Sequence, residues 1–480
     1  MKYLERLGDV MWNPWLLGAF LLTGLYFSVR TGFFQLFDCG LWLRTTVGSV
    51  LRKRKGGKGK GLTQIQTLAT ALASTIGTGS IAGVATAIFY GGPGAVLWIW
   101  VSAVLGMMTG CVEKILAVRY RERGEDGTWR GGPMYYMEKG LHSRALGCLF
   151  SACCVGASLG GGNLVQSNSI AAAMEATFGF EPLAVGAVTA LCAGAVILGG
   201  IGRIGRLSEL LVPLMAAVFL GAGGVVLAAH AQALPQAFAD IISGALNPQA
   251  ALGGGTGYGV MTAMRYGVAR GVFTNEAGLG SSAIAHAAAQ VDQPAEQGMW
   301  GILEVFVATL VVCTMTALVI LTSGVYDPAQ ALGAIGQGRV TGDMVGAPLS
   351  AAAFGTVLGR WGGVLVSVCL TLFAFTSLLG WSYYGEQSIR YLTRSEGWRW
   401  PYRVLFLLAA AAGSVVDVGA VWQLSDVCNG LMALPNLLAL LLLSPEALGL
   451  LRQWSREVLS CQKTPPRGNL VEFRRPETTE

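Results

Sequence analysis

Residues 67–94 read TLATALASTIGTGSIAGVATAIFYGGPG. The outer parts of this stretch are long, apolar and uncharged, as a membrane-spanning helix requires. Its centre, Ile76-Gly77-Thr78-Gly79-Ser80, is the opposite: two glycines flank a threonine, and a serine follows. A glycine costs a helix interior about 1 kcal/mol relative to alanine, so the span is weak in its middle. Unwound backbone at membrane depth is tolerated only where it is buried in protein or lines a cavity. There it offers N–H groups at a new helix start, which favour a carboxylate, and carbonyls that, with side-chain oxygens, suit a small hard cation. The break marks a ligand site.

Composition supports the membrane setting. The chain has 480 residues, 53% hydrophobic and 12% charged, with mean hydropathy +0.54. Soluble domains carry about 25% charged residues. Apolar runs of membrane-spanning length recur throughout, each able to cross a hydrocarbon layer of about 30 Å. The net charge of +6 needs no nucleic acid, because positive residues collect on the cytoplasmic side of membrane proteins. Ten cysteines include no CxxC pair, and Cys111, Cys192, Cys313, Cys369 and Cys428 lie in apolar runs, so they read as small buried residues. The three histidines, His142, His230 and His286, are far apart and form no HExxH. A membrane-embedded enzyme would want a His/Asp, Cys/His or metal constellation, and the sequence offers none. The opening MKYLERLGDVMWNPW contains Glu5 and Asp9 and no small-residue cleavage site, so it reads as retained and not as a removable signal.

Apolar runs between charged or Gly/Pro punctuation predict eleven spans: 11–29, 67–90, 95–118, 146–178, 183–198, 209–229, 257–289, 298–322, 361–392, 401–416 and 424–443. With the first span entering from outside, the cytoplasmic segments hold 27 of the 33 lysines and arginines, and the outer segments hold four, Lys2, Arg6, Arg339 and Arg360. This asymmetry places the N-terminus outside and the C-terminus in the cytoplasm. The run LRKRKGGKGKG at 51–61 is its densest part and reads as an anchor near anionic lipid.

Setting the first span aside leaves five and five. The first span of one set contains the break at 76–83, and the first of the other contains RGVFTNEAGLGSS at 270–282. Interrupted helices at corresponding positions of two halves point to a transporter's binding site. The two sets begin on opposite sides of the membrane, which makes them an inverted repeat. Thr78, Ser80, Thr274 and Asn275 bring oxygens to the two breaks and are the candidate cation ligands. The organisation expected is an extra helix at 1–30, a basic cytoplasmic loop at 31–66, a first repeat with its external loop at 67–256, a second repeat at 257–444, and a cytoplasmic tail at 445–480.

Seven motifs carry a resemblance: IGTGSIAGVATAI (76–88), GGPGAVLWIWVSAVLGM (91–107), GGPMYYMEKGL (131–141), GGGNLVQSNSIA (160–171), RGVFTNEAGLGSSAIAHAAA (270–289), EQGMWG (296–301) and LLGWSYYGE (378–386). Together, and in consistent order from about residue 61 to 444, they resemble the alanine-or-glycine:cation symporter family. The resemblance implies a leucine-transporter-type fold, all-α with eleven spans. It also implies sodium-coupled uptake of alanine or glycine across the bacterial cytoplasmic membrane, with sodium as coupling ion and no other cofactor. Carried over by position, Thr78 and Gly79 would meet the substrate carboxylate, and Asn163, Gln166 and Asn168 the substrate's polar groups. Phe273 and Trp381 would wall a small side-chain pocket. The i, i+3 spacing puts Asn163 and Gln166 on one helix face.

Two positions depart from the family pattern: Ser80 stands where asparagine is usual, and Ala308 where aspartate is usual. Both bear on the cation. They keep open a proton-coupled or altered-cation carrier, and a sensor that binds an amino acid without moving it. Among the acids at membrane depth, Glu113 and Glu386 are expected to pair with Lys114 and Arg390 near cytoplasmic ends. Glu276 and Glu304 are the candidates for gating or coupling.

Overall fold

A computed structural model describes residues 12–51, 62–125, 127–246, 259–416 and 418–463. Residues 1–11, most of the basic run (52–61), 247–258 and the tail from 464 lie outside them. Helix α1 (Pro14–Arg30) comes first, and three short helices follow between Phe34 and Leu51. Then come α2 (Gln64–Thr75), α3 (Gly79–Gly91), α4 (Ala95–Arg119), α5 (Pro133–Lys139), α6 (Arg144–Phe178), α7 (Pro182–Ile197), α8 (Ile201–Ala229) and α9 (Leu234–Leu246). The second half has α10 (Val260–Asn275), α11 (Ser281–Ala287), α12 (Pro294–Thr322), α13 (Pro328–Gly336), α14 (Ala347–Leu358), α15 (Arg360–Thr393), α16 (Arg399–Gly413), α17 (Val418–Leu442) and α18 (Ser444–Lys463). A two-residue hairpin between α4 and α5 pairs Glu122 with Arg130 and Arg123 with Trp129.

Six helices, α4, α6, α8, α12, α15 and the part of α17 from Ser425, are long and apolar enough to cross a membrane. The bent pair α2 and α3 makes a seventh span if taken as one. The other segments read as spans appear as α1, α7 and α16, of 17, 16 and 15 residues, and as the interrupted pair α10 and α11. The tail begins as a helix: Ala447, Leu448, Leu451 and Trp454 of α18 are buried at helical spacing. Arg119 reaches Glu446 on α18 at 2.8 Å. Cys192, expected to be buried, lies on the outer face of α7, where lipid suits a small apolar residue as well as a core does.

The two breaks decide the architecture. Helix α2 starts at a capping box, with Gln66 N donating to Thr63 Oγ1 and Thr63 N to Gln66 Oε1. It stops at Thr75, and after Ile76, Gly77 and Thr78 the chain resumes as α3 at an angle of 51°. Carbonyls at the turn and in the π-turn that follows it are met by hydroxyls of other helices. Ser377 of α15 donates to Ser74 O at 2.8 Å, Thr316 of α12 to Ser80 O at 2.8 Å, and Ser350 of α14 to Ile81 O at 3.3 Å. At the second break Glu276, Gly278 and Gly280 all take positive φ, at 53°, 92° and 81°. Gly278 and Gly280 accept that conformation because they lack Cβ. Glu276 carries the strain that non-glycine residues bear there. Asn275 Oδ1 accepts from Ala277 N, and Asn436 of α17 donates to Gly278 O.

The broken helices run antiparallel, α2 beside α11 and α3 beside α10. Leu62, ahead of α2, and Ala289, after α11, are joined as a β-bridge, with Gln290 N donating to Leu62 O at 2.8 Å. The start of one and the end of the other are therefore pinned together, and the breaks fall at the same depth. Helix α10 presses on α4 through glycines: a methyl on Gly267 would run into Ala95 O and stand 2.7 Å from Trp98 Cβ. Gly267→Val should cost about 1–3 kcal/mol through overpacking and lower the thermal unfolding midpoint of the detergent-purified protein. Gly221→Ala, on the outer face of α8 with nothing within 4 Å, should not lower that midpoint and should raise it slightly, since alanine favours a helix interior over glycine.

Candidate functional site

Where the breaks meet, a cavity of about 20 Å³ is enclosed by Ser74, Thr75, Gly77 and Gly79 from the first break, and by Phe273, Glu276 and Leu279 from the second. Gly161 and Gln166 of α6, Trp381 of α15 and Asn429 of α17 complete it. Both glycines of the GTG core are required by close approach. A methyl on Gly77 would collide with Ser377 Oγ, and one on Gly79 would stand 3.0 Å from Thr274 Oγ1 and 3.2 Å from the Phe273 ring. Gln166 donates its amide to Gly161 O at 3.0 Å and Asn429 to Ser425 Oγ at 3.4 Å. Their carbonyl oxygens, Gln166 Oε1 and Asn429 Oδ1, have no hydrogen-bond partner among the described residues. Two buried acceptors, an apolar wall and a helix start suit a small zwitterion: acceptors for an ammonium, backbone N–H groups for a carboxylate.

Beside the cavity, residues 79–83 of α3 form a π-turn that packs on a second π-turn in α12, Phe306–Cys313. Ser80 and Thr274 present their hydroxyls to the Cys313 thiol. The hydroxyls of Thr78 and Thr309 are buried without a hydrogen-bond partner among the described residues. Ala308 lies fully buried in the same π-turn. The first break, the end of α10 and this turn thus supply neutral oxygens with no carboxylate.

A charged cluster lies under the second break. Lys114 Nζ is 3.4 Å from Glu113 Oε2 and 3.3 Å from Glu304 Oε2, and Glu304 Oε2 is 3.1 Å from His286 Nε2. All four side chains have zero exposure. Glu113 Oε1 accepts from Gly278 N at 2.9 Å and from Asn436 Nδ2 at 2.8 Å, which ties the break to α4 and α17. Tyr136 of α5 donates to Asn436 Oδ1. Glu276 accepts from Ser281 Oγ, and the Trp381 indole lies beside it. Toward the α15–α16 loop a second set of ion pairs joins Glu386 to Arg403 at 2.6 Å and to Arg399 at 3.0 Å, and Arg130 to Glu396 at 3.0 Å. Partial burial would raise the Glu396 carboxyl, but the hydrogen bond from Arg390 and the charges of Arg390, Arg130 and Arg399 hold it below the usual range.

Of the residues the sequence singled out, Gly79, Gln166, Phe273, Glu276 and Trp381 line the cavity. Thr78, Ser80 and Thr274 lie beside it. Asn275 turns its side chain toward α4, where a methyl on Gly106 would stand 3.6 Å from Asn275 Nδ2. Asn163 and Asn168 face α16: Asn163 donates to Phe406 O at 2.6 Å, and Asn168 to Gly413 O and Val416 O at 3.1 and 3.0 Å. The i, i+3 argument meets a π-turn at Gly160–Leu164, whose extra residue rotates Asn163 away from Gln166. Glu113 does pair with Lys114, but in the interior and not at a cytoplasmic end, so Lys114 is a buried charge and not a loop charge. Glu386 takes Arg403 and Arg399 as its close partners, with Arg390 at 4.0 Å. Ser74, Thr75 and Asn429 are not marked by anything in their local sequence, and Leu279 lies in the second break without a polar group to single it out. Glu113, Lys114 and Glu304, ionisable residues within apolar runs, were the legible signals of the cluster.

The profile of the Sodium:alanine symporter family matches residues 1–466. The sodium/alanine symporter AgcS of Methanococcus maripaludis is 42% identical over 448 residues, covering 92% of this chain and 95% of its own. An uncharacterized transporter of Haemophilus influenzae is 41% identical over 91% of this chain and 92% of its own. The probable sodium/glutamine symporter GlnT of Bacillus subtilis is 35% identical over 94% and 89%. Among solved structures, MhsT in complex with L-phenylalanine aligns with a TM-score of 0.55 at 13% identity, over 82% of this chain and 93% of that one. A manganese transporter of Eremococcus coleocola aligns with a TM-score of 0.51 at 18% identity, over 81% and 78%. At these identities both show a shared fold, that of leucine-transporter-type carriers.

Removing one partner of a buried ion pair leaves an uncompensated charge and costs about 3–5 kcal/mol. Lys114→Met should therefore lower the thermal midpoint sharply, and the double variant with Glu304→Gln should recover part of the loss, since Glu113 still lacks its cation. Additive losses in this double-mutant cycle would show that the two side chains do not act as a pair.

Proposed function

Because the chain belongs to the sodium:alanine symporter family, we propose that it couples sodium entry to the uptake of alanine or glycine by alternating access. It is a multi-pass membrane transporter and not an enzyme. One observation carries the substrate reading: two broken helices share one small enclosed cavity that combines helix-start backbone, two unpaired amide oxygens and apolar walls. In this reading the substrate carboxylate meets the start of α3 at Thr78 and Gly79. Its ammonium meets Gln166 Oε1 and Asn429 Oδ1, and its methyl or hydrogen faces Phe273, Leu279 and Trp381. Asn163 and Asn168 seat α16 instead of touching substrate.

Eleven spans cross the bacterial cytoplasmic membrane in this reading. They are α1, the pair α2/α3, α4, α6, α7, α8, the pair α10/α11, α12, α15, α16 and α17. The last ten form two inverted sets of five, with the N-terminus outside and the C-terminus in the cytoplasm. The bridge between Leu62 and Ala289 supports the inversion, since it puts the start of α2 and the end of α11 on one side. Sodium binds among Thr78, Ser80 and Thr274, the Asn275 side chain being turned toward α4, and its presence with the amino acid shifts the balance between outward- and inward-open states. With Ser80 and Ala308 this shell lacks the amide and the carboxylate of the family pattern. Coupling is therefore altered, either in the number of cations or in the sodium concentration needed.

The test is uptake of labelled alanine by proteoliposomes under an inward sodium gradient, an inward proton gradient or neither. Accumulation is expected with sodium; accumulation with protons alone would overturn the coupling ion, and binding without accumulation would make the protein a sensor. A hydrogen bond to a charged group contributes about 1.5–3 kcal/mol, so Gln166→Leu should raise the half-saturating alanine concentration about 10- to 100-fold. Ser80→Asn and Ala308→Asp should lower the sodium concentration for half-maximal uptake. An unchanged sodium dependence in both would count against altered coupling.

A further inference from the structure

The cluster beneath the second break has one feature that transport of a zwitterion with sodium leaves unused. Its members are fully buried, yet they do not balance: Glu113 and Glu304 bring two carboxylates, and Lys114 brings one ammonium. Both oxygens of Glu113 receive donors, from Gly278 N and Asn436 Nδ2 on one side and Lys114 Nζ on the other, an arrangement suited to the ionised form. Glu304 faces two nitrogens, Lys114 Nζ and His286 Nε2.

The remaining member is His286. Its Nδ1 stands 2.6 Å from the amide nitrogen of Gln297, and Gln297 Oε1 has no hydrogen-bond partner among the described residues. A separation that short is tighter than an N–H donor ordinarily takes. Exchanging the amide's oxygen and nitrogen, which have the same shape, turns the contact into Nδ1–H donating to Oε1 and leaves every other atom in place. With Nε2 at 3.1 Å from Glu304 Oε2, the ring can then hold a proton on each nitrogen. One rotation of an amide thus fits the same cage to a neutral imidazole or, once a proton is taken up at Nδ1, to an imidazolium.

We propose that His286 is a proton-binding site, with Gln297 Oε1 accepting from Nδ1–H and Glu304 as the counter-ion. The bound proton brings the His286, Glu304, Lys114 and Glu113 cluster to neutrality. The groups facing it are Glu113 and Lys114 from α4, Glu304 from α12, Tyr384 from α15 and Glu276 at the break. Tyr136 of α5 meets it through Asn436 and Glu113, Arg130 belongs to the strand packed on α11, and α2 contributes no ionisable residue. Arg121 closes the far end, donating to Ala287 O and Ala289 O at 3.2 and 2.6 Å. Helix α11 carries His286, and Gly278 of the break is held by Glu113. Loss of the proton leaves one uncompensated buried charge among the elements that grip α11, and such charges are strongly destabilising. The protonated form therefore holds the half-helix in place, and release of the proton frees it. Only this consequence for transport rests on the symporter reading; the proton site itself does not.

The direct test is ¹⁵N NMR of the histidine side chains in the intact detergent-purified protein, where His142 and His230 are the only other histidines. The signals of His286 are assigned by their loss in His286→Gln. The His286 ring should pass between imidazole and imidazolium between about pH 5 and 8, the range in which histidine changes charge. A ring locked in one form throughout overturns the proposal. Gln297→Glu sets a carboxylate against Nδ1 and should move the midpoint to higher pH; an unmoved midpoint also overturns it, and this variant serves if His286→Gln does not fold. In proteoliposomes, the maximal rate of sodium-driven alanine uptake should fall on the acid side with the slope of a single ionisation, about tenfold per pH unit beyond the midpoint. That fall should vanish in His286→Gln, and its persistence would sever the site from transport. Absence of sodium-driven uptake at every pH, with a titrating ring, would instead sink the symporter reading and leave the proton site standing.

Discussion

Inside a hydrocarbon layer, each N–H and C=O that leaves a helix must be met by protein, because no water is there to receive it. Two segments of this chain leave their helices at the same depth, and much of the interior is arranged to receive them. Ser377, Thr316 and Ser350 reach from three separate helices to carbonyls of the first break. Glu113 and Asn436 take the N–H and C=O of Gly278 at the second. Helices far apart in sequence are held around the breaks by these bonds, and the cavity is the space that remains between them.

The second break is held by charge, and the first by hydroxyls. Satisfying Gly278 N with a carboxylate brings Glu113 into the interior, and a buried carboxylate demands a cation beside it. Lys114 answers that demand and brings Glu304 with it, and Glu304 faces His286. A local backbone requirement thus spreads through α4, α11, α12 and α17. Movement of α11 cannot be independent of the charge state of its neighbours.

The paired π-turns at 79–83 and 306–313 bear in a similar way on the cation site proposed above. Each widens a helix at the point where the two touch, and π-turns of this kind occur often at functional sites. The residues there, Ser80, Thr274, Thr309 and Cys313, are neutral. Ala308 supplies no oxygen where the family pattern has a carboxylate. A cation held by neutral oxygens keeps more of its own charge uncompensated, so the field of the neighbouring buried acids matters more.

The sequence by itself determined the membrane class, the places of the apolar helices, both breaks and the family. Each of these rests on local composition: hydropathy over a span, glycine at a turn, a motif of a dozen residues. It also singled out Gly79, Gln166, Phe273, Glu276 and Trp381, which line the cavity, because each belongs to a break or to a motif of the family it resembles. Tertiary structure decided which neighbours those residues meet. Asn163 and Asn168 turn to α16 because a π-turn breaks the 3.6-residue period that spacing arguments assume. Asn429 reaches the cavity only because α17 crosses there, and Leu279 because the second break turns there. Lys114 and His286, more than 150 residues apart in the chain, become neighbours through the antiparallel packing of α4, α11 and α12. Contacts between distant segments are set by the close approach of helix faces, and no local pattern encodes them.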